Sequence, residues 1–155
     1  MDKVLVVTGA SAGIGAAVAT LAAQAGYAVC INHRDSAAKA EALLETLCAS
    51  GTRAIAVQAD VRTEEGVCRL FDEAEAQLGR LTHLVNNAGI ISRIRPFEAL
   101  TLDELHAVFA TNVYGSFLCA REAVRRMSPQ AGGRGGAIVN LSSAAARLGS
   151  PHEFI

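Results

Sequence analysis

Apolar positions along the chain switch between two periods. Short continuous apolar runs ending at turn residues read as strands buried on both faces, and longer stretches at helical spacing separate them. Lys3–Thr8 (KVLVVT) is the first such run and leads into glycines. Gly13 to Ala25 predicts an Ala-rich helix stopped by Gly26 at its C-cap. Ala28–Asn32 (AVCIN) is a second strand. Ser36 to Ala49 is a helix with Ser36 as N-cap and Gly51 beyond its end. Arg53–Gln58 is the third strand. Thr63 caps a helix running to about Leu78, with Glu64 and Glu65 where the dipole favours acid. Leu81–Asn86 is the fourth strand. A long helical pattern opens at Thr101, with Glu104 at capping-box spacing and Arg125 and Arg126 in the last turn. After the glycine-rich turn at 132–136 comes the fifth strand, Ala137–Leu141. Strands alternating with helices of this length mean βαβ units with right-handed crossovers, hence an α/β fold with a doubly wound parallel sheet.

Composition narrows the class. A chain of 155 residues, 51% hydrophobic and 19% charged, suits a single domain with a large aliphatic core. The net charge of −1 gives no electrostatic case for nucleic acid or an anionic membrane surface. Cys30, Cys48, Cys68 and Cys119 form no C-x-x-C pair. Three of them fall in apolar-periodic stretches, where buried thiols are expected rather than a metal site or disulfide. Nothing at the amino end resembles a signal peptide and no apolar run is long enough to span a bilayer. A cytoplasmic setting is the default expectation.

The first turn reads Thr8-Gly9-Ala10-Ser11-Ala12-Gly13-Ile14-Gly15. It follows a buried strand and opens a helix, the context in which a glycine triplet becomes informative. Gly9 permits a tight turn, Gly13 lets backbone approach a pyrophosphate, and Gly15 allows close helix packing. The helix N-terminus offers unpaired N–H groups and partial positive charge. No Gly-Lys-Ser/Thr follows, which excludes a mononucleotide P-loop.

The Thr-Gly-x-x-x-Gly-Ile-Gly spacing resembles that of the short-chain dehydrogenases/reductases, in particular the subgroup of 3-oxoacyl reductases and glucose dehydrogenases. Three further motifs fall in the family's order: Asp60-Val61 after strand three, Asn86-Asn87-Ala88-Gly89 after strand four, and Asn112-Val113-Tyr114-Gly115 in the long helix. The resemblance implies a Rossmann-like domain over residues 1–155 that binds NAD(P), with Asp60 and Val61 beside the adenine and Asn87, Ala88 and Gly89 lining the ribose. It also implies hydride transfer between an alcohol and a carbonyl compound.

The identity of the dinucleotide turns on the end of strand two. An acid there would bind the ribose 2′-OH of NAD. The position is held by His33, and Arg34 follows, a guanidinium able to pair with a 2′-phosphate. Ser11 could add a hydroxyl. Asp35 and Ala12 weigh the other way, so NADP is expected ahead of NAD.

For catalysis the resemblance puts the substrate-orienting serine at Ser143, with Ser142 as the alternative and more naturally a strand-end hydroxyl capping backbone. Asn112 matches the family asparagine; otherwise it is a mid-helix residue causing a bend. The family's Tyr-x-x-x-Lys is not found: Tyr27 and Tyr114 precede no lysine by four residues, and the lysines are Lys3 and Lys39. His152 and Glu153 lack an orienting partner. The resemblance therefore implies a longer chain, with the missing pair and the last strands and helices beyond Ile155. The alternative is a naturally short, inactive dinucleotide-binding or oligomerisation module. Strand five should be a hydrophobic edge. Surplus apolar residues on the long helix (Leu105, Val108, Phe109, Val113, Phe117, Leu118) point to a further helix or a partner subunit, and the resemblance implies a homodimer or homotetramer. Arg93 and Arg95 are placed at the pocket mouth; sugars, 3-oxoacyl thioesters and steroids are all open as substrates.

Overall fold

The computed structural model describes residues 3–92 and 96–150. Arg93, Arg95, His152 and Glu153 lie outside the described residues. Five strands form one parallel sheet: β1 (Lys3–Val7), β2 (Tyr27–His33), β3 (Ala54–Gln58), β4 (His83–Asn86) and β5 (Ala137–Asn140), in the order β3-β2-β1-β4-β5. The helices are α1 (Gly13–Gln24), α2 (Ala37–Ala49), α3 (Glu64–Leu78), α4 (Leu102–Phe109), α5 (Ser116–Met127) and a single turn, α6 (Ala145–Leu148). The expected fold class is the observed one.

Because successive side chains on a strand point to opposite faces, each unbroken apolar run feeds two cores. On β1, Val4 and Val6 pack with Leu70, Phe71 and Met127 under α3 and α5, whereas Leu5 and Val7 pack with Ala19, Ala40 and Leu47 under α1 and α2. Among the described residues β5 is covered on one side only. Ile138 joins the α3–α5 core, and Val139, on the opposite face, is 53% exposed. The expected apolar edge is there.

Capping follows the sequence in most places. Thr63 accepts the N–H of Gly66 at the start of α3, and Thr101 and Glu104 form a reciprocal capping box on α4. Ser36 stands at the N-cap of α2 but makes no side-chain cap bond. Of the cysteines only Cys30 and Cys119 are buried; Cys48 and Cys68 are exposed, so burial holds for two thiols, not three.

The long helix is the main departure. Between α4 and α5, residues Ala110–Gly115 widen into a π-helical turn. Thr111 Oγ1 donates to the Ala107 carbonyl and Ser116 Oγ to that of Asn112, the back-bonding by which hydroxyl residues bend helices. Gly115 lets this turn close onto the loop after β3: a Cβ there would stand 3.0 Å from Val61 Cγ2. Such turns concentrate at functional sites, and this one carries Asn112.

Candidate functional site

The carboxyl ends of β1 to β4 enclose a cleft of about 370 Å3. It lies where the strand order reverses beside β1, the position at which open α/β sheets receive ligands. Its floor is the turn after β1. Gly9 has φ 61, and a Cβ on it would stand 2.9 Å from Ala88 Cα; a Cβ on Gly15 would meet Asn87 Nδ2 at 2.4 Å and the Gly9 carbonyl at 2.7 Å. Gly15 therefore admits the neighbouring loop's amide as well as the close-packed helix that the sequence predicts. Gly13, at φ 58, faces open space, with nothing within 4 Å of a Cβ.

Three side chains knit the loops together, and the sequence reading gave two of them, Thr8 and Asn32, no role. Thr8 Oγ1 is buried and accepts the N–H groups of Asn87 and Ala88, both at 3.0 Å. Asn87 Nδ2 donates back to the carbonyls of Thr8 (2.8 Å) and Gly9 (3.0 Å). Asn32, at the end of β2, accepts the Gly9 N–H and donates to the Ala59 carbonyl, tying the turn to the loop after β3. An asparagine or threonine closing an apolar strand is the signal that could have disclosed them: strand-end polar groups satisfy loop backbone.

Nine of the expected residues line the cleft: Gly9, Ala12, Ile14, Arg34, Asp60, Val61, Asn87, Ala88 and Gly89. Ser11, Gly13 and Gly15 belong to the same turn without lining it. His33 does not reach it. It is 6% exposed within β2, with Nδ1 buried and without a hydrogen-bond partner, because the strand runs one residue further than Asn32 and turns its side chain into the protein. Arg34 and Asp35 take the rim instead, joined by a 2.5 Å ion pair open to water. Asp60 is pinned by Arg62, whose Nε lies 2.9 Å from both carboxylate oxygens and whose Nη2 lies 2.5 Å from Oδ2. That bonding holds its carboxyl below the usual carboxylate range, against a smaller opposing effect of burial.

Asn112 stands behind the loop after β4. Its Oδ1 accepts the Ile90 N–H at 2.9 Å and its Nδ2 donates to the Ile90 carbonyl at 2.8 Å. Gly89 is close by, where a Cβ would lie 3.6 Å from Asn112 Oδ1. Ser143 follows β5 and is exposed; its Oγ accepts the Ala145 N–H at 3.1 Å. The capping bond expected of Ser142 thus falls to Ser143, and accepting it leaves the hydroxyl proton of Ser143 free to donate.

A parallel doubly wound sheet, a glycine turn opening a helix and a cleft at the switch point define a Rossmann-like α/β domain. The sequence profile of the short chain dehydrogenase family matches residues 3–155, so the chain belongs to that family. It is 44% identical over 152 residues to the Escherichia coli K12 protein named uncharacterized oxidoreductase YgfF, covering 98% of this chain and 62% of that one. It is 40% identical over 153 residues to the Staphylococcus aureus 3-oxoacyl-(acyl-carrier-protein) reductase FabG, covering 99% and 61%. A solved short-chain dehydrogenase/reductase of Serratia marcescens, carrying two substitutions, superposes with a TM-score of 0.84 at 34% identity, over 93% of this chain and 56% of that one. The chain thus spans about six tenths of the length of these curated relatives.

Proposed function

We propose that this chain is the cofactor-holding part of an oxidoreductase that interconverts an alcohol and a carbonyl compound, using NADP(H) in preference to NAD(H). The observation that carries the reading is the cleft at the carboxyl strand ends, floored by Gly9 and walled by Arg34, Asp60 and Asn87–Gly89, in a chain of this family.

The residues fit a dinucleotide. The N-cap of α1, Ala12, makes no side-chain cap bond and no acid stands in the first turn, so the leading N–H groups face outward with the positive end of the dipole. Gly13 adds room in front of them. In this reading Gly9, Ser11, Ala12, Gly13, Ile14 and Gly15 hold the phosphates, Asp60 and Val61 flank the adenine, and Asn87, Ala88 and Gly89 line the ribose. When bound, the dinucleotide supplies or accepts the hydride. Asn112 fixes the loop that supports it through Ile90, and the Ser143 hydroxyl donates to the substrate oxygen. Arg34 takes the 2′-phosphate, exchanging Asp35 for a more highly charged partner. His33, being buried, has no part in the preference.

Exposed Phe117, Phe109, Tyr114 and Val124 on the outer side of α4 and α5 support a homodimer or homotetramer through that surface. Among the described residues no helix is long and apolar enough to cross a membrane, and the proposal places the protein in the cytoplasm. The name of the Staphylococcus aureus relative makes 3-oxoacyl thioesters a substrate class to test first.

The test is dinucleotide binding followed by nicotinamide fluorescence. The chain should bind NADPH more tightly than NADH. Arg34→Ala should weaken NADPH by about tenfold or more and NADH by less than about twofold, as expected for the loss of a charge-assisted phosphate contact. Equal losses would remove the assignment to NADP.

A further inference from the structure

A second cleft, of about 570 Å3, opens at the other end of the sheet. Lys3 and His83, the first residues of β1 and β4, line it together with Arg134, just ahead of β5, and Arg80, on the turn leaving α3. At about 3.3 Å of rise per residue, β1 separates it from the glycine turn by roughly 15–20 Å.

Its lining carries charge of one sign only, with no acid among its residues. Arg34, Arg62, Arg121, Arg125 and Arg126 each sit in an ion pair. Lys3, Arg80 and Arg134 make none among the described residues, yet they gather in one cleft of a chain whose net charge is −1. Glu75 on the adjoining helix is already engaged: one carboxylate oxygen accepts the Leu81 N–H and the other pairs with Arg126. The Lys3 ammonium rests 5.0 Å over the Tyr27 ring, which steers it without neutralising it. Gly79 and Gly135 have φ of 98 and 78, and a Cβ on either would meet nothing within 4 Å, so bare backbone forms part of the wall. Burial, and then the charge of Lys3, hold the His83 imidazole below its ordinary range. The Lys3 contribution is the part an incoming anion would relieve.

We propose that this cleft is a second anion site, in which Lys3, Arg80 and Arg134 receive a phosphate group, either inorganic or carried on a small metabolite. Guanidinium pairs reading a tetrahedral oxyanion are the chemistry it fits. The site is independent of the nucleotide cleft and does not rest on the function proposed above.

The ring resonances of His83 report on this end of the molecule alone. Titrating the chain with pyrophosphate, and separately with ribose 5-phosphate, should shift them saturably, and the tighter of the two assigns the source of the phosphate. Arg80→Gln combined with Arg134→Gln should weaken that binding about tenfold or more, with the thermal midpoint unchanged since both side chains are exposed. Arg34→Gln, in the nucleotide cleft, should leave the His83 titration as it is. No saturable shift with either probe, or a double variant that binds within about twofold of the parent, would overturn the proposal.

Discussion

Asn112 and Ile90 are joined by two hydrogen bonds of opposite sense, the backbone N–H of Ile90 to Oδ1 and Nδ2 to the backbone carbonyl of Ile90. A side-chain amide here does the work of a neighbouring strand. It holds the loop after β4 to a π-helical turn that Gly115 presses against Val61. Asn112→Ala should therefore loosen the loop, costing about 1–2 kcal/mol, because two hydrogen bonds go but water can reach both groups. Asn112→Asp keeps the acceptor and sets a carboxylate oxygen against the Ile90 carbonyl, so it should not rescue. Urea midpoints measure the cost, and amide exchange at Ile90 should accelerate in both variants. An unchanged Ile90 would sink the clamp.

Gly13 and Gly15 separate folding from binding. At Gly15 a methyl group would collide with Asn87 Nδ2 and with backbone, so Gly15→Ala should destabilise the protein by about 3 kcal/mol through overpacking. At Gly13 a methyl group meets nothing, and only the left-handed φ is unfavourable, roughly 1–2 kcal/mol. If a phosphate sits above this turn, Gly13→Ala should lose dinucleotide affinity out of proportion to its stability. A Gly13→Ala protein that binds NADPH as well as the parent would argue against the cradle.

Most of this architecture was legible in the sequence because β1, β2 and β4 are buried on both faces and β3 is half-buried, and that burial writes unbroken apolar runs. The motif loops were legible because glycine is forced at Gly9 by a left-handed φ and a close backbone neighbour. The π-helical turn was not. Residues 101–127 keep a helical period straight through it, and although Asn112 hinted at a bend, the widening also depends on the hydroxyl back-bonds of Thr111 and Ser116 and on the tertiary approach of Gly115 to Val61. Thr8 and Asn32 were missed for a related reason: a polar residue ending an apolar run looks like the mere end of a strand, and only the loops' unsatisfied N–H groups reveal its partners. His33 is expected just past strand two, whereas β2 runs through it and buries its side chain, leaving Arg34 as the residue at the cleft rim.

Asp60 and Arg62 give a pH signature. The folded-state carboxyl is held below its ordinary value, first by the hydrogen bonds from Arg62. A depressed acid contributes stability above its unfolded value, about 3.9, and loses it as pH falls through the folded one. Arg62→Gln should lower stability at pH 7 by about 1 kcal/mol or less, since water screens the pair. The gap to the parent should close progressively on acidification below about pH 4. Urea midpoints across pH decide it; a gap that widens in acid would reverse the sign.

The four thiols should divide into two pairs. Burial pushes the Cys119 thiol up to about 12 and raises that of Cys30 as well, with Glu73 adding to the effect at Cys30. Thiolate is the reactive form, so both should resist iodoacetamide in the native protein, whereas exposed Cys48 and Cys68 are modified. Peptide mass mapping should find all four labelled only after denaturation. Native labelling of Cys30 would mean that the β2 strand opens.

Arg126 locks α3 and α5 together. Its guanidinium reaches Glu122 on its own helix at 2.8 Å and Asp72 and Glu75 on α3 at 2.6 and 2.9 Å, while its carbon Cζ lies 5.8 Å from the Phe71 ring centre. The side chain is only 17% exposed and that of Glu122 only 10%. Removing the cation would leave the buried Glu122 with only the more distant and exposed Arg125, 3.7 Å from its Oε2, close to the costly case for a buried pair. Arg126→Ala should destabilise the protein by about 3 kcal/mol, more than any surface ion pair such as Arg121 with Glu64. Arg126→Lys keeps the charge but cannot fork to three carboxylates at once, so its urea midpoint should fall between parent and alanine. Arg126→Ala combined with Glu122→Gln should recover part of the loss, because the acid left stranded is then neutral. If the double variant is no more stable than Arg126→Ala alone, the network holds α5 by packing against Phe71 rather than by charge.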